Sequence, residues 1–152
     1  NIVDGAANGI SIVNFDSGGR LASCTGNVVR NLRRDGPYEF TTPGFGTGIS
    51  VEADTVVSGN VVENAPLYGI NLGWGKYQRN VIATGNIVRN ARTGIGASVV
   101  EGAGSALITD NLIDGATQGA VVGHRWAKPA TGDLAHEASQ FANITAERNR
   151  TA

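Results

Sequence analysis

A chain of 152 residues with 22 glycines, no methionine and one cysteine carries 12 basic and 13 acidic side chains, a net charge of −1. That balance lacks the basic surplus of a nucleic-acid binder, and Cys24 alone excludes a disulfide framework or a cysteine-rich zinc site. No apolar run reaches the 18 or so residues needed to span a bilayer, so no membrane span is expected.

The predicted elements recur along the chain. A phrase opens at Asn1-Ile2-Val3-Asp4 and returns at Asn27-Val28-Val29-Arg30-Asn31, Asn60-Val61-Val62-Glu63-Asn64 and Asn86-Ile87-Val88-Arg89-Asn90. A degenerate copy follows at Asn111-Leu112-Ile113-Asp114, and a weak one ends at Asn149. The anchor asparagines are spaced by 26, 33, 26, 25 and 38 residues. A second phrase follows the anchors: Gly9-Ile10-Ser11-Ile12, Gly48-Ile49-Ser50-Val51, Gly69-Ile70-Asn71-Leu72, Gly94-Ile95-Gly96-Ala97 and Gly119-Ala120-Val121-Val122. A third precedes them: Thr55-Val56-Val57, Val81-Ile82-Ala83, Ala106-Leu107-Ile108 and Ile144-Thr145-Ala146. Inserts fall at about 35–46 and 126–142.

A period near 25 is too short for two packed helices and fits one turn of a β-solenoid. Alternation places Ile49 and Val51 inside with Ser50 outside, and likewise around Asn71 and Gly96. The fold expected is all-β: a single-stranded right-handed parallel β-helix of about five coils, 1–152 forming one domain and a piece of something longer. Its handedness follows the crossover preference. The anchors should stack as an amide ladder, Asn tolerating the left-handed backbone of a tight bend. Three residues past each anchor lie Asp4, Arg30, Glu63, Arg89 and Asp114, a ladder of alternating charge. Ile2, Val28, Val61, Ile87 and Leu112 form an apolar stripe facing out. Thr131-Gly132-Asp133 reads as a helix start, and Leu134, Ala138 and Phe141 follow at i, i+4 and i+7. A short helix over 133–141 is therefore expected to cover the stripe or cap an open end; self-association, or packing against missing upstream coils, is the other outcome. Cys24 reads as a small apolar filler.

These phrases resemble the parallel β-helix repeats of the pectate-lyase-like superfamily. A closer likeness is to twin-arginine-translocated β-helix repeat proteins of alphaproteobacteria. It is carried by Gly85-Asn86-Ile87-Val88-Arg89-Asn90-Ala91-Arg92-Thr93-Gly94-Ile95-Gly96, by Ser98-Val99-Val100-Glu101-Gly102-Ala103-Gly104, by Ile108-Thr109-Asp110-Asn111-Leu112-Ile113, and by Gly119-Ala120-Val121-Val122-Gly123 with Thr131-Gly132-Asp133-Leu134. It is specific from about residue 55 onward, fits that family's C-terminal portion, and implies a fold and a periplasmic or extracellular setting rather than a reaction.

Counted from each coil's glycine, Trp74 and His124 both lie at +5, Glu52 at +4 and Glu101 at +7. Glu52, Trp74, Lys76, Tyr77, Glu101, His124, Arg125 and Trp126 should then form one strip on an edge of the solenoid. Indole faces stack on the C–H surface of sugar rings, and Arg and Glu bond hydroxyls or carboxylates, so the strip points to a polysaccharide or oligosaccharide. The alternative is that Trp74 and Trp126 merely cover the edge, with Lys76 and Arg125 laid on them. A lyase or C5-epimerase would use His124 as base and Arg125 to stabilise charge, with Asp133 or His136 nearby. A third reading is a structural or assembly module without ligand. Scattered carboxylates, and His124 and His136 without a third ligand, argue against a metal site; no cofactor is expected.

Overall fold

The computed structural model describes residues 1–19, 21–39 and 43–152. The described chain is all-β, with almost no helix: its parallel strands form stacked sheets in an arrangement compatible with a solenoid. Three runs of strands can be followed. One comprises β3 (Ala22–Thr25), β6 (Thr55–Ser58), β8 (Val81–Thr84), β10 (Ala106–Thr109) and β14 (Ile144–Glu147). The second contains the anchors' own strands: β1 (Ile2–Asp4), β4 (Val28–Arg30), β7 (Val61–Leu72), β9 (Ile87–Ser98), β11 (Leu112–Asp114) and β15 (Arg150–Thr151). The third joins β2 (Ile10–Ile12) to β5 (Ile49–Val51), the far halves of β7 and β9, and β12 (Gly119–Arg125). The 12-residue strands β7 and β9 serve two runs because they turn a corner, where their pairing slips between Ala65 and Tyr68.

Alternation decides what faces inward. Val29, Val62, Val88 and Ile113 stack from one run, Ile49, Ile70 and Ile95 from the next, and Cys24, Val57, Ala83 and Ile108 from the third, all buried. Cys24 thus fills the core, where burial pushes its thiol pKa up. Close packing of neighbouring chain turns depends on a glycine column. A Cβ on Gly48 would stand 2.5 Å from the carbonyl oxygen of Gly69, and one on Gly69 2.7 Å from that of Gly94.

The anchors form an unbroken amide ladder. Asn1, Asn27, Asn60, Asn86 and Asn111 each donate from Nδ2 to Oδ1 of the next anchor, ending at Asn149, at 2.9–3.0 Å. In the buried stretch the same oxygen also accepts the preceding anchor's backbone N–H, and Nδ2 reaches back to a carbonyl one chain turn earlier, as Asn60 does to Cys24 O. The left-handed backbone belongs to other residues than the anchors. Gly26, Gly59 and Gly85 precede them at φ of 67°, 62° and 63°, and Asn31, Asn64 and Asn90 follow at 55°, 56° and 53°. Asn31, Asn64 and Asn90 build a second, exposed ladder through their own amides.

The charge ladder forms in the expected order: Arg30 pairs in register with Asp4 and Glu63, Glu63 with Arg89, and Arg89 with Asp114. Arg30 Nε lies 2.8 Å from Asp4, whose carboxyl is held below its usual pKa first by the Asn31 amide and then by Arg30. The apolar stripe does face out: Ile2 is 74% exposed, Ile87 37% and Leu112 42%.

The expected helix over 133–141 does not form. Residues 128–133 are instead strand β13 (Lys128–Asp133), antiparallel to β12. The Asp133 carboxylate accepts the backbone N–H groups of Ala120 and Val121 across the hairpin, and that of Ala135. His136 and Glu137 both donate to the Asp133 carbonyl, a single turn that goes no further. Its successor is occupied by a local bond: Phe141 N–H donates to Ser139 Oγ. Polar side-chain competition of this kind outweighs a weak i, i+4, i+7 pattern.

Candidate functional site

Outward positions of the third run stack as Ser11, Ser50, Asn71, Gly96 and Val122, and over the first three lies an open cleft of about 290 Å³. Among the described residues its lining is Asn8, Ile10, Ser11, Pro43, Gly44, Thr47, Ser50, Glu52, Tyr68, Asn71 and Trp74. Ser11, Ser50 and Asn71 occupy the solvent-side positions between inward Ile, Val and Leu. Asn8 is fixed by Oδ1, which accepts the backbone N–H groups of Gly46 and Thr47 and so ties the insert to the cleft's rim. Tyr68 enters where β7 turns its corner, and its ring lies over Gly96, where a Cβ would come within 3.1 Å of it. Absence of a side chain at Gly96 makes room for the phenol, which stacks edge-on with His124 at 5.1 Å.

Glu52 is the unusual member. It is 9% exposed, and Oε2 has no hydrogen-bond partner among the described residues. Burial pushes its pKa up to about 7, since the charged form is the one that loses hydration. Buried polar atoms are nearly always partnered, so Oε2, itself shielded from solvent, stands out as an unmatched acceptor on a residue that lines the cleft.

The residues expected to form one strip separate into several environments. Trp74 lines the cleft with Glu52. Trp126 packs edge-on against Trp74, ring centres 5.4 Å apart, with its indole over Gly75. Lys76 and Tyr77 lie on a short 3-10 turn, where the ammonium sits 5.7 Å from the Tyr77 ring centre and that ring packs on Phe15. Glu101 and Arg125 border a separate shallow depression, and the Arg125 guanidinium lies over Phe141 at 5.9 Å.

His124 and Arg125 do not converge. Alternation along β12 sends adjacent side chains to opposite sides: His124 is 4% exposed while Arg125 is exposed. Nδ1 of His124 lies 3.0 Å from Val122 O and so carries the proton, and burial above all depresses its pKa. Asp133 is occupied by the hairpin amides, and His136 Nε2 contacts Thr151 Oγ1 at 3.1 Å. Among the described residues no group of three or more His, Cys, Asp or Glu could hold a metal ion, and no helix is long and apolar enough to cross a membrane.

The register of β12 accounts for part of this scatter. Gly119 pairs with Thr93 and Val121 with Ile95, so Ala120, not Gly119, stands opposite Gly94. His124 therefore pairs with Ser98, the position that follows Ala97, just as Gly73 follows Leu72 and Glu52 follows Val51. The structural equivalent of Trp74 is Arg125. Tyr68 and Asn8 were not singled out by the sequence pattern; Tyr68 had a signal, being a large ring one residue before a column glycine. No family model, curated protein or solved structure matches this chain.

Proposed function

We propose that the chain is a saccharide-binding module whose ligand lies in the cleft over Ser11, Ser50 and Asn71, with Trp74 as its apolar wall. The carrying observation is that Trp74 and Glu52, a buried carboxyl whose Oε2 has no partner among the described residues, line the same open cleft. An indole beside hydroxyl and amide groups suits a sugar ring, which has an apolar C–H face and a polar rim; pockets of this size combine such surfaces with a few placed polar groups. The same reading takes the fold as a single-stranded right-handed parallel β-helix of the pectate-lyase-like kind, a member of the twin-arginine-translocated repeat proteins, working outside the cytoplasm. The in-register stack of parallel strands supports the β-helix part of that reading.

The lyase or epimerase reading gains nothing from the geometry, because His124, Arg125 and Asp133 face different surroundings. The test is glycan retention by wild type and Trp74→Ala. Retention that Trp74→Ala lowers by tenfold or more supports the module, whereas blank arrays for the wild type, or retention indifferent to Trp74, would reject it.

A further inference from the structure

The cleft's polar chemistry narrows what it accepts. Its polar lining comes from Asn8, Ser11, Thr47, Ser50, Glu52 and Asn71, and among the described residues no Lys, Arg or His lines it. Two cations of neighbouring segments have partners of their own. Arg34, which lies against Gly44 of the rim, donates to the carbonyl of Phe45. Lys76 lies over the Tyr77 ring. Of the other titratable groups, Tyr68 shares the cleft, with His124 edge-on behind it, and Arg92 bears electrostatically on both. Burial alone accounts for the raised pKa of Glu52, with no charged group among its causes.

Resting on the saccharide-binding reading, we propose that the cleft selects uncharged sugars and rejects uronates, with the Glu52 carboxyl as the determinant. A uronate carboxylate brought into this lining meets a second carboxyl and no cation, so its lost hydration is not replaced. A hydroxyl group instead donates to the Glu52 carboxylate, or accepts from the carboxyl when that is protonated. A bound neutral ring also removes the water left around Glu52, which favours the protonated acid further. Saccharide binding and proton uptake at Glu52 are thereby coupled, and coupling of this kind is reciprocal.

The experiment is calorimetric titration of the whole chain with tetrasaccharides of glucan, mannan, galactan and xylan, and with oligogalacturonate and oligoalginate, at pH 5.5 and 8.5. The expected result is a neutral oligosaccharide bound at least about tenfold more tightly than any uronate. Its affinity should fall about tenfold between the two pH values, a change of 1.4 kcal/mol. Glu52→Gln should abolish the pH dependence while Trp74→Ala weakens binding at both. A uronate preferred over neutral sugars, or neutral binding indifferent to pH in the wild type, would overturn the selectivity and leave the module standing. No binding by any oligosaccharide would overturn the module itself. Neither wild-type comparison depends on a variant folding.

Discussion

Two buried polar side chains differ in how they are satisfied. Asn86 uses its amide oxygen for two donors of Asn60 and its Nδ2 for Asn111 and the Val57 carbonyl. Glu52 keeps an oxygen with none. Truncating Asn86 would orphan groups on both neighbouring chain turns, each costing about 1–3 kcal/mol. Asn86→Ala is therefore expected to lose about 3–5 kcal/mol in urea unfolding. The exposed Asn90, at φ 53°, should lose about 1 kcal/mol or less as Asn90→Ala and almost nothing as Asn90→Gly. Glu52 works the other way. Its pKa is raised from 4.5 to about 7 on folding, so the native state holds more protons than the unfolded chain between those values. Its contribution to stability therefore falls as pH climbs through that window and levels off above it. The full cost approaches about 3 kcal/mol. Glu52→Gln should match the wild type near pH 4.5 and exceed it above pH 7, measured as urea midpoints across pH; parallel curves would contradict the burial argument.

At the scale of elements, contact between chain turns is close where glycines align. Gly69→Ala would put a Cβ within 2.7 Å of a backbone carbonyl oxygen that cannot move without shifting the next strand. A melting temperature lowered by about 6–12 °C is expected from about 3 kcal/mol of strain, and an unchanged one would mean the strands separate easily. Glu63→Lys would set a third cation between Arg30 and Arg89. The expected loss is about 1 kcal/mol, recovered in 1 M salt, where screening is short-ranged. The repeated elements were legible before any coordinates because the anchors, glycines and alternating pairs recur in one order. Elements outside the repeat were not. Strand β13 has no apolar alternation; it is held by Asp133 and by Thr131, whose Oγ1 accepts the Gly123 N–H. Its turn places Trp126 at φ 54°, a conformation rare for a bulky side chain. Gly119 imitates the repeat's glycine one residue early, and a single-residue slip changes which side chains share a face.

For the whole molecule, equivalence along the sequence becomes adjacency in space only where register is kept. Stacking brings Ser11, Ser50 and Asn71 to one outward row, of which alternation alone places Ser50 and Asn71 outside. The cleft needed more than that: the rim from residues 43–47 and the corner of β7 that admits the Tyr68 ring over Gly96 have a geometry the repeat does not encode. The account's central claim is that ligand recognition occurs at this row and not along the aromatic edge as a whole. Its most direct test is amide chemical-shift mapping by NMR while a neutral oligosaccharide is titrated. The account predicts shifts clustered at Ser11, Ser50, Glu52, Asn71 and Trp74; shifts centred on Lys76, Glu101 and Arg125 with the row silent would contradict it.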